Sequence, residues 1–137
     1  MRMNSKSLVI LGIILMALVL TSGCIKQSED PLSLEKVNFQ LLIEANGEET
    51  SQSISVPKGT NALEAMKMLA DVNYSTSAFG AFVTSINGIA NTSDSYWLFW
   101  IEGKFAEKAI DAYSINGDTV VIWRFLDAEE SKKFWGS

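Results

Sequence analysis

Six unbroken apolar residues, Tyr96-Trp97-Leu98-Phe99-Trp100-Ile101, four of them aromatic, constrain this chain more than any other feature. On extended backbone successive side chains take opposite faces, so Tyr96, Leu98 and Trp100 point one way and Trp97, Phe99 and Ile101 the other. Such a strand needs apolar cover on both sides. One side can be core; the other must be covered by something else, and a ligand is one candidate.

The segments around it read as strands with a single strong helix. Val37, Phe39, Leu41 and Ile43 alternate with Asn38, Gln40, Leu42 and Glu44, the pattern of a half-buried strand. Asn46-Gly47 offers a hairpin turn into Ser51–Val56, which Pro57-Lys58-Gly59 ends. Asn61, with Glu64 three residues on, has capping-box spacing and predicts a helix whose stripe is Leu63, Met66 and Ala70, flanked by Ala62 and Leu69, running to about Val72. Its methionines read as core filler. Phe82–Ile86, Tyr96–Ile101 and Thr119–Leu126 return to strand, separated by Asn87-Gly88, Glu102-Gly103 and Asn116-Gly117-Asp118 turns. This order predicts an α+β domain with a small mixed or antiparallel sheet holding one main helix, β-grasp-like.

The start of the chain sets its expected location. Arg2 and Lys6 precede an apolar run, Leu8–Leu20, and Thr21-Ser22-Gly23-Cys24 follows. A basic start, about 7–15 apolar residues and small residues before a cut describe a secretory signal, and the run is shorter than the roughly 20 residues of a membrane span. Cys24, the only cysteine, stands where the lipobox of bacterial and archaeal lipoproteins has its lipidated residue, although Thr21 replaces the usual aliphatic. The organisation expected is a signal over residues 1–23, a flexible tether over 24–36 without apolar period, a domain over 37–126 and a charged tail over 127–137, either a short helix or loose, holding Phe134 and Trp135. The protein would then sit outside the cytoplasm, anchored to the membrane through lipidated Cys24.

Charge and chemistry exclude several functions. The whole chain carries −5, and without Arg2 and Lys6 its 11 basic residues fall to 9 against 16 acidic ones. An acidic surface disfavours nucleic acid, whose binding depends on neutralising phosphates with Lys and Arg. Histidine is absent, removing the commonest acid–base residue and metal ligand. No nucleophile or phosphate-loop motif frames the serines, so no enzyme and no catalytic residues are expected. Asp94, Glu102, Asp111 and Asp118 have no calcium-loop spacing and read as solvated turn residues rather than a metal site. Asn73-Tyr74-Ser75 and Asn91-Thr92-Ser93 fit the short glycosylation pattern. The positive signal is aromatic: four Trp, with Trp97, Trp100 and Trp123 on predicted strands. Each can fill core, and rings left at a concave edge bind flat or bulky apolar ligands.

The ordered motifs Phe82-Val-Thr-Ser-Ile-Asn-Gly-Ile-Ala90, Tyr96-Trp97, Gly103, Ala109-Ile-Asp-Ala-Tyr113 and Asn116-Gly-Asp-Thr-Val120, with Gly59-Thr-Asn-Ala-Leu-Glu-Ala-Met66 upstream, resemble the transcobalamin-like C-terminal domain family. That family includes domains of the animal cobalamin carriers and of bacterial and archaeal surface proteins. In the carriers this domain is one jaw and a helical domain the other, with cobalamin between them. The resemblance implies a ligand face lined by Ser85, Asn87, Tyr96, Trp97, Phe99 and Trp100. It also implies a corrinoid (cobalamin) as ligand, this chain being half of a clamp; no other cofactor and no metal are expected. The alternative use of the same aromatic face is docking a surface protein, a glycan or an envelope polymer, with no small-molecule ligand.

Overall fold

The computed structural model describes residues 34–135. The signal-like segment, Cys24 and the tether as far as Ser33 lie outside these residues, as do Gly136 and Ser137.

Strand β1 (Lys36–Ala45) and β2 (Glu48–Pro57) form a hairpin paired without interruption from Lys36↔Pro57 to Ala45↔Glu48. Asn46 and Gly47, at φ 54° and 79°, make the turn, both positive as a two-residue hairpin matched to strand twist requires. Val37, Phe39, Leu41 and Ile43 are all buried, as their alternation predicts.

A short strand β3 (Thr60–Asn61) leads into α1 (Ala62–Leu69). Asn61 caps it: its Oδ1 accepts from Leu63 N–H at 2.9 Å while its Nδ2 donates to Asp111 O at 2.7 Å. Glu64 turns to Lys67 Nζ at 3.0 Å. Ala62, Leu63, Ala65 and Met66 are buried against the sheet, so Met66 is core filler as expected, whereas Met68 is exposed.

The helix ends three residues short of the expected Val72. Ala70 is already extended, at φ −142°. Asn87 takes up both backbone groups of Asp71, donating its N–H to Asp71 O at 2.8 Å and accepting Asp71 N–H on Oδ1 at 2.9 Å. The following Val72–Ser77, rich in serine and β-branched residues, becomes β4 and pairs with β5 (Gly80–Ile86). This strand was not legible from the sequence because its partner lies downstream and its side chains are almost all exposed. With β6 (Ile89–Ala90), β4 and β5 form a separate three-stranded sheet, order β4-β5-β6.

Strands β7 (Ser95–Ile101), β8 (Lys104–Phe105) and β10 (Thr119–Asp127) complete the main sheet in the order β2-β1-β10-β7-β8. β1 and β10 run parallel at its centre and the other neighbours are antiparallel. A hairpin, a crossing helix and a return to the centre make the β-grasp arrangement. A 3-10 turn, Ile110–Ala112, and β9 (Ser114–Ile115), which pairs with β3, link β8 to β10. The core joins Phe39, Leu41, Val56, Met66, Ile86, Ile110, Ile115, Trp97, Phe99, Val121 and Trp123.

The reverse face of β7 is covered by the chain itself. The tail forms α2 (Ala128–Trp135), capped by Asp127 Oδ1, which accepts from Glu129 and Glu130 N–H at 2.9 and 2.8 Å. Phe134 meets Trp100 edge-on at 5.0 Å and stacks on Phe105 at 5.6 Å. Arg124 lies over the Trp100 ring at 4.7 Å and bonds Glu44 at 2.6 Å. Leu98 and Trp100 are thus buried outside the main core. Among the described residues no helix is long and apolar enough to cross a membrane.

Candidate functional site: an aromatic cleft beside an open strand edge

The cleft follows from a mismatch in strand length. β8 pairs with β7 only at Trp100↔Phe105 and Ile101↔Lys104. Beyond these pairs Ala106 N–H reaches Phe99 O at 3.0 Å, so Ser95–Leu98 has β10 on one side and, among the described residues, no strand on the other. Consecutive residues Tyr96, Trp97, Leu98 and Phe99 all border the space beside this edge, although their side chains alternate. The β4–β5 hairpin faces them with Ser75, Ser77, Phe79, Phe82 and Val83, and Phe105–Ala109 closes a third side. The resulting open cleft is about 890 Å³, within the range of small-molecule sites.

Its walls are held by polar contacts that leave the aromatic rings in place. Asn91 Oδ1 accepts Trp97 N–H at 2.9 Å, and Asn91 Nδ2 donates to Val83 O at 3.1 Å, joining the open edge of β7 to β5. Trp97 Nε1 donates to Ile89 O at 2.7 Å. Asp111 Oδ1 accepts Ala81 N–H at 2.9 Å and holds the start of β5 against the 3-10 turn. Gly80, at φ +104°, is required there: a Cβ would meet Ala109 Cβ at 2.6 Å and Asp111 Oδ1 at 2.7 Å.

The rings fall into two sets. Trp97 tilts against Phe125 at 5.1 Å, and Phe99 stacks on Trp123 at 4.6 Å; these form a rigid, largely buried wall. Phe79 and Phe82 form the rim, 93% and 53% exposed. Trp123, which also lines the cleft, has its indole N–H buried without a hydrogen-bond partner among the described residues.

Of the residues expected at a ligand face, the structure brings together Tyr96, Trp97 and Phe99. Trp100 lies on the opposite side of the sheet, beneath Phe134 and Arg124, because strand alternation places it there. Ser85 is buried inside the three-stranded sheet, and Asn87 sits in its hairpin turn at φ 48°, bonded to Asp71. Neither borders the cleft. Sequence reasoning missed Phe79 and Phe82; the sole local cue was a lone Phe-Gly after the Ser-Thr-Ser-Ala run, which marks a turn but not what it faces.

Three of the four acidic residues read as turn carboxylates serve separate local roles through their side chains. Asp118 Oδ1 accepts Asn38 N–H at 2.8 Å, Glu102 Oε1 accepts Val120 N–H at 2.5 Å, and Asp111 Oδ1 holds Ala81 N–H, while Asp94 contributes its backbone carbonyl, which accepts Ala128 N–H at 2.7 Å. Among the described residues no three His, Cys, Asp or Glu gather to hold a metal.

Comparison with solved structures agrees with this architecture. The chain is similar to haptocorrin, solved in complex with Cbi, at TM-score 0.60 and 17% identity, over 68% of this chain and 25% of that one. It is also similar to a candidate metal binding protein from Ruminococcus gnavus ATCC 29149, at TM-score 0.56 and 10% identity, over 67% of this chain and 98% of that one. At these identities the likeness is one of fold, and the match spans a quarter of haptocorrin's length. No curated protein matches in sequence. A family profile matches residues 59–127, half of the chain, from the Gly59 turn through α1 and the cleft to the end of β10. The chain belongs to that family, described as Domain of unknown function (DUF4430), the transcobalamin-like C-terminal domain family whose motifs its sequence carries.

Proposed function

We propose that this domain is a binding module whose cleft takes one face of a flat, largely apolar ligand, a corrinoid, as one half of a clamp. The observation that carries the reading is the rim: Phe79 and Phe82 stand exposed beside a fixed wall of Trp97, Phe99 and Trp123. Exposed rings beside a preformed apolar wall bury area on binding without reorganising the fold. Likeness in fold to haptocorrin, solved with Cbi, supports the ligand class. The cleft is open, so a second protein would complete the enclosure and a single domain binds weakly. Lipidation at Cys24 would hold the module at the outer face of a membrane. A Cys24→Ser chain should move from the membrane to the soluble fraction, and retention at the membrane would reject the anchor.

The test is titration of the detergent-solubilised full chain with cyanocobalamin and with dicyanocobinamide, followed by heat release and Trp fluorescence. Saturable binding is expected, weakened about tenfold (roughly 1.4 kcal/mol) by Phe82→Ala and unchanged by Trp100→Phe on the opposite face. Absence of saturation with either compound up to about 1 mM, where binding free energy falls to roughly −4 kcal/mol, would reject the corrinoid. The exposure of Phe79 favours one second reading, docking of a surface protein or glycan on the same rim. In that case Phe79→Ser would abolish partner binding in a chain that ignores corrinoids.

A further inference from the structure

The far end of the main sheet carries a second feature, independent of the cleft. β2 is its edge strand, ten residues long where about 5–6 is usual, and among the described residues no strand pairs with its outer side. Edge strands present unpaired N–H and C=O groups and are normally blunted by shortness, lysine, proline, a bulge or an inward charge. β2 has little of this protection. Its register with β1 is unbroken over all ten pairs, Thr50–Ser55 carries no charge, and proline occurs only at its last position, Pro57. Glu48–Ser53 and Ser55 are exposed.

The sequence of β2 is also self-complementary. In an antiparallel pair of two β2 strands centred on Ser53, Ser51 faces Ser55, Gln52 faces Ile54, Thr50 faces Val56 and Glu48 faces Lys58 of the second copy. No like charges oppose one another, and an opposite-charge pair closes each end, an arrangement that stabilises cross-strand pairing. Lys58 is free enough to take part: it meets Glu35 at 3.0 Å, but both side chains are largely exposed, 46% and 68%. Such surface pairs contribute little. Because residues that face each other share parity, the two copies keep their α1-bearing faces on the same side of one continuous sheet.

From this we infer that β2 is an interface for a second copy of this chain, pairing antiparallel about Ser53 to give a symmetric dimer. The strand order then places the two clefts at the outer ends of the joined sheet, away from the interface. Two clefts on one particle would bind an array of ligands or a repetitive partner with avidity.

Register-specific cross-linking of the full chain in membranes tests this. Residues directly opposite in an antiparallel pair have Cα atoms about 4.5–5.5 Å apart, within disulfide reach. Ser53→Cys should therefore give a covalent dimer on mild oxidation with copper–phenanthroline, well above the background set by the parent chain with Cys24 alone. Ser51→Cys, which faces Ser55, would hold its two thiols about 13 Å apart and should stay at background. Equal dimer from both variants means random collision, and no dimer from Ser53→Cys means another occupant or none; either result overturns the inference. Both outcomes are independent of corrinoid binding.

Discussion

Asn91 shows how much one polar side chain decides here. Its carbonyl takes the Trp97 N–H that β8 is too short to pair, and its amide reaches Val83 O on the other sheet. Asn91→Ala leaves both groups unpaired in a partly buried place, and the expected loss is about 2–3 kcal/mol in urea unfolding. Asn91→Asp keeps the acceptor for Trp97 and should cost less; equal losses would show that the donor bond to Val83 carries the effect. Gly80 makes a sharper case, combining a positive φ with contacts that any Cβ would break. Gly80→Ala should destabilise by about 2–4 kcal/mol, and a neutral result would mean that Ala109 and Asp111 yield easily. The role of neither residue could be read from the sequence. Asn91 reads from the sequence only as the head of an Asn-Thr-Ser pattern, because its partners Val83 and Trp97 belong to strands of two different sheets, and Gly80 has no local signal, because Ala109 and Asp111 lie far along the chain.

Elements differ in how far their own residues determine them. β1 was legible in full, since a strand half buried under one helix must alternate, and Val37, Phe39, Leu41 and Ile43 do. The start of α1 was legible for a similar reason, because a cap is local: Asn61 Oδ1 bonds two residues ahead. Its end was not, because Asn87, sixteen residues downstream, takes over the backbone of Asp71. α2 was harder still. Half of its eight residues are charged, and what makes it an element is the seating of Phe134 on Trp100 and Phe105. Phe134→Ala should therefore lower stability by about 2 kcal/mol, less than a fully buried ring because Phe134 is half-buried. Trp100 emission should shift to the red in the same variant. The cleft lies on another part of the sheet, so corrinoid titration should be unchanged; a parallel loss of binding would show that α2 supports the cleft walls.

At the scale of the molecule, the β-grasp order separates two surfaces along one sheet, with the free β2 edge at one end and the cleft beside β7 at the other. The sequence by itself determined that Tyr96–Ile101 is a strand with two apolar faces, that a hairpin and a capped helix precede it, and that histidine chemistry is absent. These depend on side-chain alternation, local hydrogen bonds and composition, all properties of neighbours in the chain. Only the tertiary structure decided what covers each face of that strand. Trp100 went under the chain's own α2, while Trp97 and Phe99 became the wall of a cleft whose exposed rim comes from β4–β5. Cover is a contact between residues far apart in sequence, and where β8 stops pairing fixes which half of β7 is left open. No local pattern in Ser95–Ile101 encodes the length of its neighbour.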